Sequence, residues 1–95
     1  MINEDIPPAR EARVLPAVLR MRGEIDAVFA RYVGPIAPDL CQEEFNHWRA
    51  EGQVGPTALH RYIARLAHYI REQATRHAFV AEATHRIHLQ TIHKP

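Results

Sequence analysis

The stretches of these 95 residues that alternate apolar and polar with the period of two of a half-buried strand are short, such as Leu19–Arg22 and Arg86–Gln90, and do not set the pattern of the chain. Apolar residues recur instead at helical spacing along almost the whole chain. An all-α fold follows, and a chain this short encloses one hydrophobic core, so the architecture expected is a compact bundle of three to four helices. Val14, Val18, Met21, Ile25, Val28, Phe29 and Tyr32 trace one stripe and predict a first helix within residues 9–33. Pro16 suits a first turn and harms an interior, so that helix either starts near Leu15 or kinks there. Gly34-Pro35 ends it, with the glycine expected as a left-handed cap. Leu40, Cys41, Phe45 and Trp48 share a face of a second helix, which starts between Pro35 and Pro38 and stops at Gly52. Leu59, Ile63, Leu66, Ala67 and Ile70 form the cleanest stripe, on a third helix opened by Pro56 or Thr57. Beyond Ile70 the stripe rotates to Phe79, Val80, Ala83 and Ile87. A break near Glu72 to Thr75 and a fourth helix to about Ile92 are therefore expected, with one unbroken helix over 56–93 as the competing reading.

Residues 1–8 carry Pro7-Pro8 and no periodic pattern, and are expected to form a flexible arm before a single helical domain over 9–95. The expected core is Val28, Phe29, Val33, Ile36, Leu40, Phe45, Leu59, Ile63, Leu66, Ile70, Phe79 and Val80. Cys41 and Trp48 also read as core, although Trp48, close to Gly52, has the option of a surface rim.

Composition removes several chemistries. The chain has no serine, one lysine (Lys94) and one cysteine (Cys41), so serine hydrolases and P-loop nucleotide enzymes are excluded. Cys41 and His47 lie about 9 Å apart along a helix and about 120° apart in rotation, which does not suit a nucleophile and its base. Glu43 and Glu44 diverge by about 100°, and Glu24 and Asp26 fall on the helix exterior by the apolar pattern, so no acid–base pair is expected. A single cysteine makes no internal disulfide and fits a reducing compartment. No apolar run spans a membrane, and the acidic N-terminus is unlike a signal peptide. The expectation is a cytoplasmic, non-catalytic chain with no cofactor.

Tyr32-Val33-Gly34-Pro35-Ile36-Ala37 with Leu40, followed by Leu66-Ala67, Ile70, Arg76 and Phe79, resembles a short, functionally uncharacterised helical domain. That domain is found towards the C-terminus of bacterial serine/threonine protein kinases and other signalling proteins. The resemblance covers roughly residues 28–80. It departs in a longer join near Trp48 to Gly55 and in Ala74, where the family usually has proline. It implies a helical accessory domain of signalling chains, with no catalytic residues to carry over.

The net charge of +1 hides a split. Residues 1–51 hold six arginines against nine acids, whereas residues 52–95 hold five arginines and Lys94 against two acids, and six of the seven histidines. An acidic second helix packed beside a basic third accounts for this within one molecule; the alternative is a polarised surface that meets a partner or a second copy. Arg61, Arg65 and His68 fall along one edge of the third helix, Arg76 suits a structural role, pairing with a carboxylate or capping carbonyls at a helix end, and His85 and His88 stand about 60° apart on the fourth. These six are the candidate partner-binding residues. His85 and His88 by themselves make an incomplete metal site, and no metal is expected. The function expected is a protein-interaction or regulatory module in bacterial cytoplasmic signalling, partnered by a protein, kinase-associated or other, and self-associating through the fourth helix. The alternative is a small DNA-binding regulator reading through the third helix, which the near-neutral charge disfavours. Removal of residues 81–95 is expected to leave the remainder folded.

Overall fold

The computed structural model describes residues 15–52 and 55–92. The expected arm over 1–8, and His93, lie outside the described residues. Among the described residues four α-helices follow one another: α1 (Pro16–Val33), α2 (Ala37–Ala50), α3 (Leu59–Ala67) and α4 (Gln73–Ile92), with a 3-10 turn at Gly34–Ile36 between the first two. No strand occurs among the described residues, and the bundle is all-α.

The helix boundaries have local causes. Leu15 is extended (φ −71°, ψ 149°), as a residue before proline must be, and α1 starts at Pro16 without the alternative kink. Gly34 ends it at φ 82°, ψ −153°, its N–H donating to the Ala30 carbonyl. The φ is positive, as expected, but ψ is extended because Pro35 follows and disfavours a helical ψ before it. Gly52 (φ 85°) closes α2, donating to the Arg49 carbonyl at 2.9 Å. Residues 55–58 form a turn that feeds α3, so the α-helix starts at Leu59, slightly later than Pro56 or Thr57. The chain breaks between α3 and α4, which excludes one unbroken helix. Arg76 holds that break, its Nη1 donating to the carbonyls of Ile70 (2.7 Å) and Arg71 (3.3 Å).

The most extensive contact pairs α1 with α4. They run antiparallel: Arg31 bonds Glu82, while Glu24, two turns earlier, accepts from Arg86 at 2.7 Å. Phe79 packs edge-on against Phe29 (centroids 5.4 Å) and Tyr32 (6.0 Å). α2 and α3 cover the other side of α1, where Phe45, Trp48 and Tyr62 meet at 5.3–6.4 Å. Trp48 is fully buried and donates its Nε1–H to the Ala58 carbonyl at 2.8 Å, so it is core and not rim.

Eight of the twelve expected core residues are buried. Val33, Leu40 and Val80 are partly buried against that core, and Ile36 is 53% exposed because the 3-10 turn swings it outward. The core extends beyond the expected set, into Val18, Met21 and Ile25 of α1, Tyr62 of α3, and Ala83 and Ile87 of α4. Ala83 and Ile87 use the apolar face of α4 that the sequence left open for a partner. Residues 81–89 therefore contribute to the bundle, which argues against the expectation that removal of residues 81–95 leaves the rest folded.

Candidate functional site

Two clefts among the described residues carry polar side chains. The wider, about 440 Å³, lies between α1 and α2 and is walled by Ala27, Ala30, Ala37 and Pro38, with Arg22, Asp26, Cys41 and Gln42 at its polar end. Helical spacing puts Arg22 and Asp26 one turn apart, so Arg22 Nε donates to Asp26 Oδ2 at 2.8 Å. Tyr62, fully buried on α3, donates its hydroxyl to Asp26 Oδ1 at 2.6 Å and lies 3.3 Å from the Cys41 carbonyl oxygen. The Arg22 guanidinium sits 4.2 Å over the Phe45 ring. Asp26 is thus not a solvated exterior residue, as its place in the apolar pattern implied. Its side chain is 25% exposed and ties α1 to α3 through Tyr62.

The same surroundings silence the chemistry of this cleft. Burial, then the Asp26 charge, push the Cys41 thiol up to about 12. Burial and Asp26 also push the Tyr62 phenol upward. Neither group is ionised near neutrality, and the carboxylate is already bonded on both oxygens. A thiol in this state is not a nucleophile.

The second cleft, about 280 Å³, lies between the start of α3 and the C-terminal half of α4. Pro56, Thr57, His60, Thr84, Ile87 and His88 form its wall, with no carboxylate among them. The imidazoles of His60 and His88 have no hydrogen-bond or ion-pair partner among the described residues. His85 is exposed on α4, outside this wall.

The remaining candidate residues divide. Arg61 and His68 are exposed. Arg65 is tied inward, donating to Glu44 at 2.7 Å and to Glu51 at 2.9 Å. It does not join Arg61 and His68 as a free basic edge, which weakens the DNA-reading alternative. Tyr69 adds a hydrogen bond to Glu44 at 2.7 Å, and His68 borders the shallow hollow beside them. Burial alone would raise the Glu44 carboxyl, but the hydrogen bonds from Tyr69 and Arg65 outweigh it and hold the group below the ordinary carboxylate range. Arg76 is committed to the α3–α4 break. Arg86 is held between Glu24 and Glu82.

Sequence reasoning brought His88 to the fore but paired it with His85 along the helix. The structure places it in the wall of one cleft with His60, which comes from the neighbouring helix. It missed the Arg22–Asp26–Tyr62 cluster, whose one sequence signal is a tyrosine inside the α3 apolar stripe. Among the described residues, no group of three or more histidine, cysteine or acidic side chains converges on one point. No helix among them is long and apolar enough to cross a membrane.

A family model described as Domain of unknown function (DUF8082) matches residues 23–91. That span runs from within α1 almost to the end of α4 and includes both clefts. No curated protein and no solved structure matches the chain.

Proposed function

The chain belongs to the DUF8082 family, and we propose that it is a non-catalytic protein-interaction module that docks a partner through the outer face of α3 and α4. The observation that carries this reading is where unpaired polar groups remain. Around the α1–α2 cleft they are tied to one another. On α3 and α4, His60, Arg61, His85 and His88 are exposed without partners among the described residues, beside an apolar-walled cleft and the 45% exposed Leu89. An exposed apolar group ringed by polar side chains is the ordinary composition of a docking surface.

The resemblance of the Gly-Pro-Ile-Ala turn and the residues around Arg76 to a domain near the C-terminus of bacterial serine/threonine kinases supports a place in cytoplasmic signalling chains. Self-association is one use of the same face. The test is photo-crosslinking in the native cell from position 85 on α4, with position 43 on α2 as a control. A defined partner captured from 85, absent from 43 and lost with Arg61→Glu in a folded protein is expected. Equal crosslinking from both positions, or capture indifferent to Arg61→Glu, would remove the reading.

A further inference from the structure

We propose that His60 and His88 are one half of a zinc-type metal site, completed by the same two histidines of a second copy of this chain. Three observations carry it. The two imidazoles come from different helices and form part of the wall of one cleft. Neither is engaged with any other described side chain or backbone group, so the nitrogen lone pairs are not committed elsewhere. The wall contains no carboxylate and no thiol, and an all-imidazole donor set selects zinc, copper, nickel or cobalt over magnesium or calcium.

Two ligands from one chain do not close a zinc site, which is tetrahedral in its structural form. Among the described residues no third histidine, cysteine or acid joins them. A twofold axis through the metal supplies the missing pair with no further sequence requirement, because an isologous contact presents the same patch from both sides. Thr57 and Thr84 stand in the same wall, and their hydroxyls are suited to accept the second ring N–H of a ligating imidazole, which fixes ring orientation. Leu89, 45% exposed and next to His88 in sequence, adds apolar surface for the second copy to cover.

The proposal rests on the α3–α4 face being a docking surface, and supplies one occupant of it. The experiment uses the untagged full chain, with molar mass from light scattering as zinc is added to about half an equivalent per chain. A doubled mass with one zinc per two chains, reversed by chelator, is expected. Cobalt in place of zinc should give the intense visible absorption of a tetrahedral site. His60→Ala and His88→Ala should each leave a folded monomer in the presence of zinc, while His85→Ala dimerises as the parent does. A chain that stays monomeric with zinc overturns the proposal. So does zinc bound without pairing, or pairing lost in His85→Ala and kept in His60→Ala. Crosslinking from position 85 needs no metal, so the wider docking reading stands or falls separately.

Discussion

At the scale of the residue, Tyr62 decides how α1, α2 and α3 register. Its ring is packed against Phe45 and Trp48, and its hydroxyl reaches Asp26, whose other oxygen takes Arg22. Removing the hydroxyl leaves the ring in place and Asp26 with one donor fewer. Tyr62→Phe is therefore expected to cost about 1 kcal/mol, read as a fall of roughly 4–8 °C in Tm. Cys41 gives a second prediction at this scale. Its thiol is buried and its pKa is pushed up from 9.0 to about 12, so the thiolate is scarce at about pH 8. Alkylation of the native chain should be slower than that of the denatured chain by roughly three orders of magnitude. Because the folded pKa lies above the unfolded one, the associated stability is present below pH 9.0 and is lost as pH rises towards about 12. Rapid native labelling at neutral pH would show that the α1–α2 cleft opens to its floor.

At the scale of the element, the glycine that ends α1 and the glycine inside it behave differently under substitution. Gly34 occupies φ 82°, ψ −153°, a region essentially confined to glycine, and nothing crowds a β-carbon there. Gly34→Ala should therefore cost about 1–3 kcal/mol from backbone strain alone. Gly23, exposed inside the helix with equally open surroundings, should behave oppositely. Gly23→Ala is expected to stabilise by about 0.5–1 kcal/mol, because it removes unfolded-state freedom without a clash. Denaturant melts of the pair separate the two effects, and a stabilised Gly34→Ala would refute the backbone account. α4 provides the third prediction. Phe79, Ala83 and Ile87 lie on its buried face, and truncation after Val80 removes the last two together with the Glu82 and Arg86 ties to α1. Circular dichroism of that truncation should show loss of cooperative unfolding, not a folded three-helix remnant.

At the scale of the whole molecule, the acidic and basic halves of the sequence meet each other first. Arg65 carries the contact between α3 and α2, bridging Glu44 and Glu51, and Arg31 and Arg86 do the same between α1 and α4. Arg65→Ala should lower stability near neutral pH by about 1 kcal/mol, since the Glu44 side chain is only 12% exposed. The pH dependence gives a sharper reading. Glu44 titrates below its ordinary value, so its contribution is present above pH 4.5 and is lost as the solution is acidified below that. In Arg65→Ala that part of the stability profile should flatten, and an unchanged acid limb would exclude Arg65 as the cause.

The helices and their ends were legible in the sequence. The 3.6-residue period, Pro16, Gly34-Pro35, Gly52 and the shift of stripe near Glu72 are local signals that act over a few residues, and the described helices follow them. The partition of polar side chains was not legible. Asp26 looks solvated because a helical wheel records which side a residue is on and not what stands opposite. Arg65 looks like part of a basic edge for the same reason, and His88 looks paired with His85 because only neighbours along the helix are visible. Periodicity alone determined an all-α bundle with a charge-divided chain. The tertiary structure decided that Arg65 and Arg86 close part of that charge within the molecule, that α4 contributes to the core, and that His88 shares a cleft with His60, because all three depend on which helix faces are brought together by packing between residues far apart in the chain.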